Sequence, residues 1–216
     1  MTHILRSIAL SLFPLSLFLV FPVHAQDQGP EELVKKITQD VLAAIQSDKQ
    51  LAAGDRQKAI KLAEEKILPY VDFEEATRLA VGRSWAQATP EQKKKLVNEF
   101  RNMLVRTYSN AISAYEGQTM KVLPVRMKPG DTDVTVQNQF IRPGAPPVKI
   151  DYSMKKTDNG WKIYDIVVEG VSLVLTYRSE FDAVVKQEGI DGLIKRLARK
   201  NTAPAGVGGT ASKAGK

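Results

Sequence analysis

The sequence contains no cysteine and very little histidine. Cysteine is absent from all 216 residues, and the only two histidines are His3 and His24. Both lie in an amino-terminal segment that has the features of a removable leader. The mature chain is therefore expected to lack disulfide bonds, cysteine nucleophiles, Ser-His-Asp triads and zinc sites of the Cys/His kind. The sequence predicts no metal site and no cofactor, and any catalysis would depend on carboxylates, lysine or tyrosine.

Long apolar runs are also scarce, and the longest one lies in this leader. Residues 8–21 are almost wholly apolar, follow Arg6 and precede small residues that end at Ala25. This pattern is typical of a secretory signal peptide, so we expect residues 1–25 to be removed on export. The run is interrupted by Pro14 and is shorter than the roughly 20 residues that a membrane-spanning helix needs. An uncleaved anchor is the alternative interpretation.

The remaining chain has the length of one domain, which we expect to span residues 26–200. Residues 201–216 are mostly Thr, Ala, Pro, Gly, Ser and Lys, a composition that predicts a disordered tail. Loss of the leader removes Arg6 and lowers the formal net charge from +7 to +6. A positive charge favours anionic partners such as lipid headgroups or acidic protein surfaces. We expect no nucleic-acid partner for an exported protein.

The first half of the expected domain has the periodicity of helices. Apolar residues recur at helical spacing after Pro30 and again after Asp55. The clearest helix is predicted over residues 90–116, because Thr89 and Gln92 have the spacing of a capping box. Its basic face is either solvated surface or a docking site for an acidic partner, and the pattern leaves both interpretations open.

The second half changes to short runs of β-branched and aromatic residues separated by turn sequences. The predicted strands span residues 120–125, 134–141, 148–154 and 161–168. Helix returns after residue 178. Helices followed by strands predict an α+β fold, with helices packed on one face of a curved antiparallel sheet of about four strands. Such a layer pair is expected to enclose an apolar cavity.

Several short motifs together resemble the MlaC, or toluene-tolerance, family of periplasmic phospholipid-binding proteins. In the first half these motifs are Leu68-Pro69-Tyr70-Val71, Ala88-Thr89-Pro90-Glu91-Gln92, and Tyr115 with Gly117-Gln118-Thr119. In the second half they are Arg142-Pro143, Pro146-Pro147-Val148 with Asp151, Gly160-Trp161 with Tyr164-Asp165, Glu169-Gly170-Val171-Ser172 and Gly189-Ile190-Asp191-Gly192-Leu193. The resemblance covers roughly residues 30–200 and depends on the order of the motifs, since none of them is specific alone.

The resemblance implies a periplasmic shuttle that binds a diacyl phospholipid and performs no bond chemistry. Its implied partners are an outer-membrane lipoprotein or porin complex and the substrate-binding subunit of an inner-membrane ABC transporter. Such a function is associated with outer-membrane lipid asymmetry and solvent tolerance. The direction of transport stays open.

The predicted lipid-contacting positions combine those that the resemblance implies with apolar positions of the long helix and the strands. They are Leu68, Tyr70, Val71, Phe100, Leu104, Tyr108, Ile112, Tyr115, Val136, Tyr152, Met154, Val168, Val171, Leu173 and Val174. The residues predicted to dock a partner are Lys93, Lys94, Lys95 and Arg142. For the apolar strand positions, ordinary core packing is the alternative.

A different class of function is an enzyme on a cone-shaped α+β scaffold. Asp165 and Glu169 are four residues apart, so on one continuous strand they would point the same way. A carboxylate-based hydrolase or isomerase is therefore the second hypothesis, although no supporting motif surrounds the two acids.

Overall fold

A computed structural model of the chain describes residues 28–113 and 119–202, and for residues 110–113 only the backbone is described. The expected signal peptide, Tyr115, Gly117 and residues 203–216 lie outside these ranges. The helices are α1 (Pro30–Ser47), α2 (Lys49–Ala52), α3 (Arg56–Lys66), α4 (Phe73–Val81), α5 (Pro90–Ser113) and α6 (Arg178–Thr202), with 3-10 turns at Leu68–Tyr70, Gly82–Gln87 and Leu175–Tyr177. Within the described ranges, no helix combines the length and the apolar character needed to cross a membrane.

The helix ends are formed by the side chains that the sequence singles out. The Asp55 carboxylate accepts hydrogen bonds from two backbone N–H groups at the start of α3. At the start of α5, the Gln92 backbone N–H donates to Thr89 Oγ1 at 3.2 Å, and the Thr89 backbone N–H donates to Gln92 Oε1 at 3.0 Å. These two bonds complete the predicted capping box. Helix α6 bends at Gly189, whose φ of 72° interrupts the helical backbone.

The strands form one antiparallel meander in the order β1-β2-β3-β4-β5. They are β1 (Thr119–Val122), β2 (Asp133–Ile141), β3 (Val148–Thr157), β4 (Gly160–Val168) and β5 (Val171–Ser172). The α+β prediction is confirmed. The described sheet has a fifth strand beyond the four predicted, and this strand is only two residues long.

Three apolar clusters lie within the described residues, and the smallest of them packs Ile45 of α1 against α2 and α3. The other two are larger. In the first, α1 packs on the inner face of the sheet, where Leu33 and Val34 meet Val136, Met154 and Trp161. The second lies among α4, α5 and α6 and includes a group of aromatic rings around Phe100. Its buried members are Ala76, Ala80, Val81, Trp85, Ala88, Leu96, Phe100, Met103, Val174, Phe181, Val184, Leu193 and Leu197. The helices α4 to α6 thus have a core of their own, and α1 packs on the inner face of the sheet.

Candidate functional site

An apolar cleft of about 190 Å³ lies between α1 and the inner face of the sheet. Its walls are formed by Val34, Ile37, Thr38, Val41, Leu42 and Ile45 of α1, by Ile67 and Val71, and by Met120, Phe140, Tyr152, Ile163 and Ile166 of the sheet. The polar atoms that these side chains carry are the hydroxyls of Thr38 and Tyr152. A lining of this composition suits an apolar ligand.

Strand pairing brings the sheet side of the cleft together. Met120 lies opposite Phe140, and Tyr152 lies opposite Ile166. A β-bulge interrupts the pairing of β3 with β4 at Ser153 and Met154. Because the bulge shifts the alternation by one residue, Ile163 and Ile166 both face the cleft although they are three positions apart.

The two halves of α1 have different surroundings. In its first half Leu33, Val34 and Ile37 are buried against the sheet. At the start of the helix, Glu31 Oε2 accepts a hydrogen bond from the Val125 backbone N–H at 3.2 Å. In the second half, Val41 and Leu42 are only half-buried and border the cleft. Ile45, also in the second half, is buried against Leu51 of α2 and Leu62 of α3. The cleft extends under both halves of the helix, since Val34 and Ile37 line it as well.

The cleft is small for a lipid with two acyl chains. Its volume of about 190 Å³ compares with roughly 300–1,000 Å³ for pockets that enclose drug-sized molecules. A larger ligand requires α1 and the sheet to separate.

Tyr152 places a protonated hydroxyl within this apolar region. Burial raises the pKa of Tyr152 to about 12, and the nearby Asn138 side chain opposes this effect to a smaller extent. The phenol is therefore a neutral hydrogen-bonding group at neutral pH.

The predicted lipid-contacting residues fall into separate regions of the structure. Val71 and Tyr152 line the cleft. Tyr70, Val136 and Met154 belong to the apolar cluster between α1 and the sheet. Leu68, Val168 and Leu173 are half-buried, whereas Val171 is 56% exposed beyond the turn after β4.

The predicted residues on α5 lie in the helical core. The Phe100 ring packs edge-on against Phe181 and Tyr177, with centroid separations of 5.3 and 5.5 Å. Leu104 and Val174 belong to the same cluster. Tyr108 is half-buried and forms a hydrogen bond with Tyr177. Burial of Tyr177, and to a smaller extent this bond, raises the pKa of Tyr177. Tyr115 and the side chain of Ile112 lie outside the part of the chain that the structure describes.

The cleft contains residues that the sequence interpretation did not assign to it. Most of them belong to α1, whose apolar positions Ile37, Val41 and Ile45 recur at helical spacing. That stripe shows that one face of α1 is covered, but periodicity does not say by which element. Met120 and Phe140 share a sheet face with Tyr152, and the alternation of the strands is the signal that could have placed them.

The two acids of the enzyme hypothesis do not form a pair on one strand. The buried Asp165 carboxylate accepts hydrogen bonds from the Ser172 hydroxyl and from the Val174 backbone N–H, the latter at 3.1 Å. Glu169 lies in the turn after β4 with a φ of 49°, and its Oε1 accepts from the Lys149 backbone N–H. Both carboxylates are engaged in bonds that fix the backbone. The geometry therefore gives no support to a catalytic carboxylate pair here.

The predicted docking lysines share the amino-terminal part of α5 but differ in their contacts. The Lys93 ammonium lies 5.4 Å from the centroid of the Trp85 ring. Lys95 pairs with Glu91 at 2.9 Å. Lys94 is exposed, and Arg142 is exposed where β2 passes into the loop before β3.

The protein is thus of the α+β class, with a helix packed on an antiparallel meander and an apolar cleft between the two. The model of the family described as MlaC protein matches residues 35–199. The chain therefore belongs to the MlaC family, which confirms the resemblance seen in the sequence.

Known proteins show the same relationship. The chain is 22% identical over 195 residues to the intermembrane phospholipid transport system binding protein MlaC of Haemophilus influenzae, covering 89% of this chain and 91% of that protein. It is 24% identical over 170 residues to the toluene tolerance protein ttg2D of Pseudomonas putida, covering 76% of each. A phospholipid-binding protein from Ralstonia solanacearum, solved in complex with a phospholipid, matches with a TM-score of 0.73 and 40% identity, covering 79% of this chain and 96% of that one.

Proposed function

We propose that this protein is a periplasmic carrier that holds the acyl chains of a phospholipid between α1 and the sheet and performs no chemistry on them. The observation that carries the proposal is the apolar cleft lined by Val41, Leu42, Phe140 and Ile166. The solved relative that binds a phospholipid supports it. The expected signal peptide, residues 1–25, accounts for the proposed location.

The energetics of acyl chains explain why an apolar cleft is enough. Each methylene moved out of water gains about 0.8 kcal/mol, so a carrier must shield the chains about as well as a membrane does. The headgroup is charged and can stay in water. Such a site needs shape and apolar area, and does not need placed acids or bases.

The sharpest test places a charge inside the cleft. We expect Val41→Glu to abolish lipid retention, because a carboxylate among acyl chains loses its hydration without gaining a partner. Gln39→Glu is the matched control, since Gln39 is exposed on the same helix. Protein isolated from a bacterial periplasm is extracted with organic solvent, and its phospholipid content is measured together with its circular dichroism.

The wild type and Gln39→Glu are expected to carry a stoichiometric amount of phospholipid, and Val41→Glu almost none at unchanged helix content. If folded wild-type protein isolated gently contained no lipid, the carrier proposal would be wrong. Normal lipid content in Val41→Glu would place the acyl chains elsewhere in the molecule.

We further propose that the carrier moves lipid between an outer-membrane lipoprotein or porin complex and the substrate-binding subunit of an inner-membrane ABC transporter. The names of two relatives, an intermembrane phospholipid transport system binding protein and a toluene tolerance protein, support this role. The basic residues at the start of α5, including the exposed Lys94, suit an acidic docking surface on a partner.

A further inference from the structure

One polar side chain interrupts the apolar inner face of the sheet near the cleft. Asn138 lies on β2 between Val136 and Phe140, which point the same way. Its opposite residues are Ile150 on β3 and Val122 on β1. The side chain is 1% exposed, so it is buried among strand positions that are otherwise apolar.

Within the described ranges, neither Nδ2 nor Oδ1 of Asn138 has a hydrogen-bond partner. The Asn138 side chain interacts with the Tyr152 hydroxyl closely enough to oppose the rise of the Tyr152 pKa, but neither of its polar atoms reaches the distance and angles of a full hydrogen bond. A buried amide without a partner carries a free-energy penalty, and native proteins keep very few of them. Such a group is expected to gain its partner in the functional complex.

Asn138 does not itself line the cleft, but it adjoins residues of the sheet that do. Phe140 and Tyr152 line the cleft, and they lie two positions along β2 and diagonally across on β3. Met120, opposite Phe140, lines it as well. Asn138 is three residues from the end of β2 at Ile141, a distance of about 10 Å along the strand. Separation of α1 from the sheet would bring its amide into contact with the ligand.

We propose that the Asn138 amide donates a hydrogen bond to an acyl ester carbonyl of the bound lipid. This inference rests on the proposed carrier function and adds a chemical requirement to it. The hydrocarbon chains contain no acceptor, and the charged headgroup is expected to stay in water. The ester carbonyls lie between these two regions. Asn138 lies one third of the length of β2 from the end of that strand at Ile141, and we expect the carbonyls at this depth. The carrier would then prefer ester-linked lipids to ether-linked ones.

A competition between two synthetic lipids tests this inference. The protein is loaded from mixed vesicles that contain equal amounts of diester and diether phosphatidylglycerol with the same chain lengths, and its occupancy is read by native mass spectrometry. We expect the wild type to prefer the diester lipid by roughly tenfold, the effect of one buried hydrogen bond. Asn138→Leu should bind both lipids equally. Gln137→Leu is the matched control because Gln137 is exposed on the opposite face of β2, and it should keep the preference.

The outcomes separate this inference from the carrier function. Equal occupancy of the wild type by both lipids, or an undiminished preference in Asn138→Leu, would overturn the role of Asn138 and leave the carrier intact. Binding of neither lipid by folded wild type would overturn the carrier function itself. The wild-type competition decides the question even if Asn138→Leu fails to fold.

Discussion

The Ser172 hydroxyl donates a hydrogen bond to Oδ2 of the buried Asp165 carboxylate, and this bond ties β5 to β4. Oδ1 of the same carboxylate accepts from the backbone N–H groups of Ile166 and Val174, at 2.8 and 3.1 Å. The Leu175 backbone N–H in turn donates to Ser172 Oγ at 2.8 Å. The carboxylate thus organises the chain between the end of the sheet and α6.

Replacing Asp165 tests this structural role. We expect Asp165→Asn to lower the free energy of unfolding by about 1–3 kcal/mol, because the amide offers one acceptor oxygen where the carboxylate offers two. Urea unfolding followed by circular dichroism measures the change. Asp158→Asn, an exposed position in the turn between β3 and β4, should stay within about 0.5 kcal/mol of the wild type. Equal stability of both variants would show that the buried network contributes nothing.

Gly82 ends α4 in a backbone conformation that favours glycine. Its φ of 65° is unfavourable for residues with a side chain, and an added Cβ would lie 3.1 Å from Nε of Arg178. We expect Gly82→Ala to destabilise the fold by roughly 1–2 kcal/mol, measured by thermal unfolding. Gly29→Ala is the control, because that glycine has an ordinary φ of −61° and open space around it. A Gly82 variant as stable as the control would mean that the turn relaxes without cost.

Local signals in the sequence predicted most of the fold. The starts of α3 and α5 could be predicted because Asp55 and Thr89 cap backbone N–H groups only a few residues away. No distant part of the chain is needed to identify these helix starts. The four longer strands follow from runs of β-branched and aromatic residues between turn sequences, with clear alternation in β2 and β3. Strand β5 has two residues, which is too short for alternation to be visible.

The composition of the site was harder to predict than the fold. Periodicity identifies the covered face of a helix but not the element that covers it. The stripe of α5 that includes Phe100 packs on Phe181 of α6, while the equivalent stripe of α1, with Val41, borders the cleft. The buried Asn138 lies where strand alternation demands an inward side chain, and its unpaired amide becomes apparent only when the neighbouring strands are placed.

Filling the cleft is expected to exclude lipid without damaging the fold. Leu42 is half-buried on α1 and lines the cleft, so Leu42→Trp would add an indole where the acyl chains are proposed to lie. We expect a loss of most of the bound phospholipid, measured by extraction. The free energy of unfolding should change by at most about 3 kcal/mol. Ala43→Trp, on the exposed side of the same helix, should retain its lipid. Equal lipid content in the two variants would contradict the proposed position of the ligand.

Tyr152 should make stability depend on pH in the alkaline range. Burial raises its pKa from 10.0 to about 12 in the folded protein. Between these values the unfolded chain releases the phenolic proton more readily, so the free energy of unfolding falls as the pH rises. We expect Tyr152→Phe to lose less stability than the wild type over this interval, with a difference of at most about 3 kcal/mol. Parallel unfolding curves at pH 10 and pH 12 measure this difference, and identical losses in the two proteins would contradict it.

The basic residues at the start of α5 are expected to dock the protein on its partner. Charge reversal of Lys93, Lys94 and Lys95 to glutamate should slow lipid transfer to proteoliposomes that carry the inner-membrane transporter and should weaken the dependence of the rate on salt. Both effects follow if opposite charges steer the two proteins together. The control reverses three exposed lysines of the β1 to β3 region, Lys121, Lys128 and Lys155, which changes the net charge equally. Because the two triple variants have the same net charge, a slower rate in the α5 variant alone would assign docking to that helix. Equal rates in the two variants would show that the α5 lysines are ordinary solvated surface.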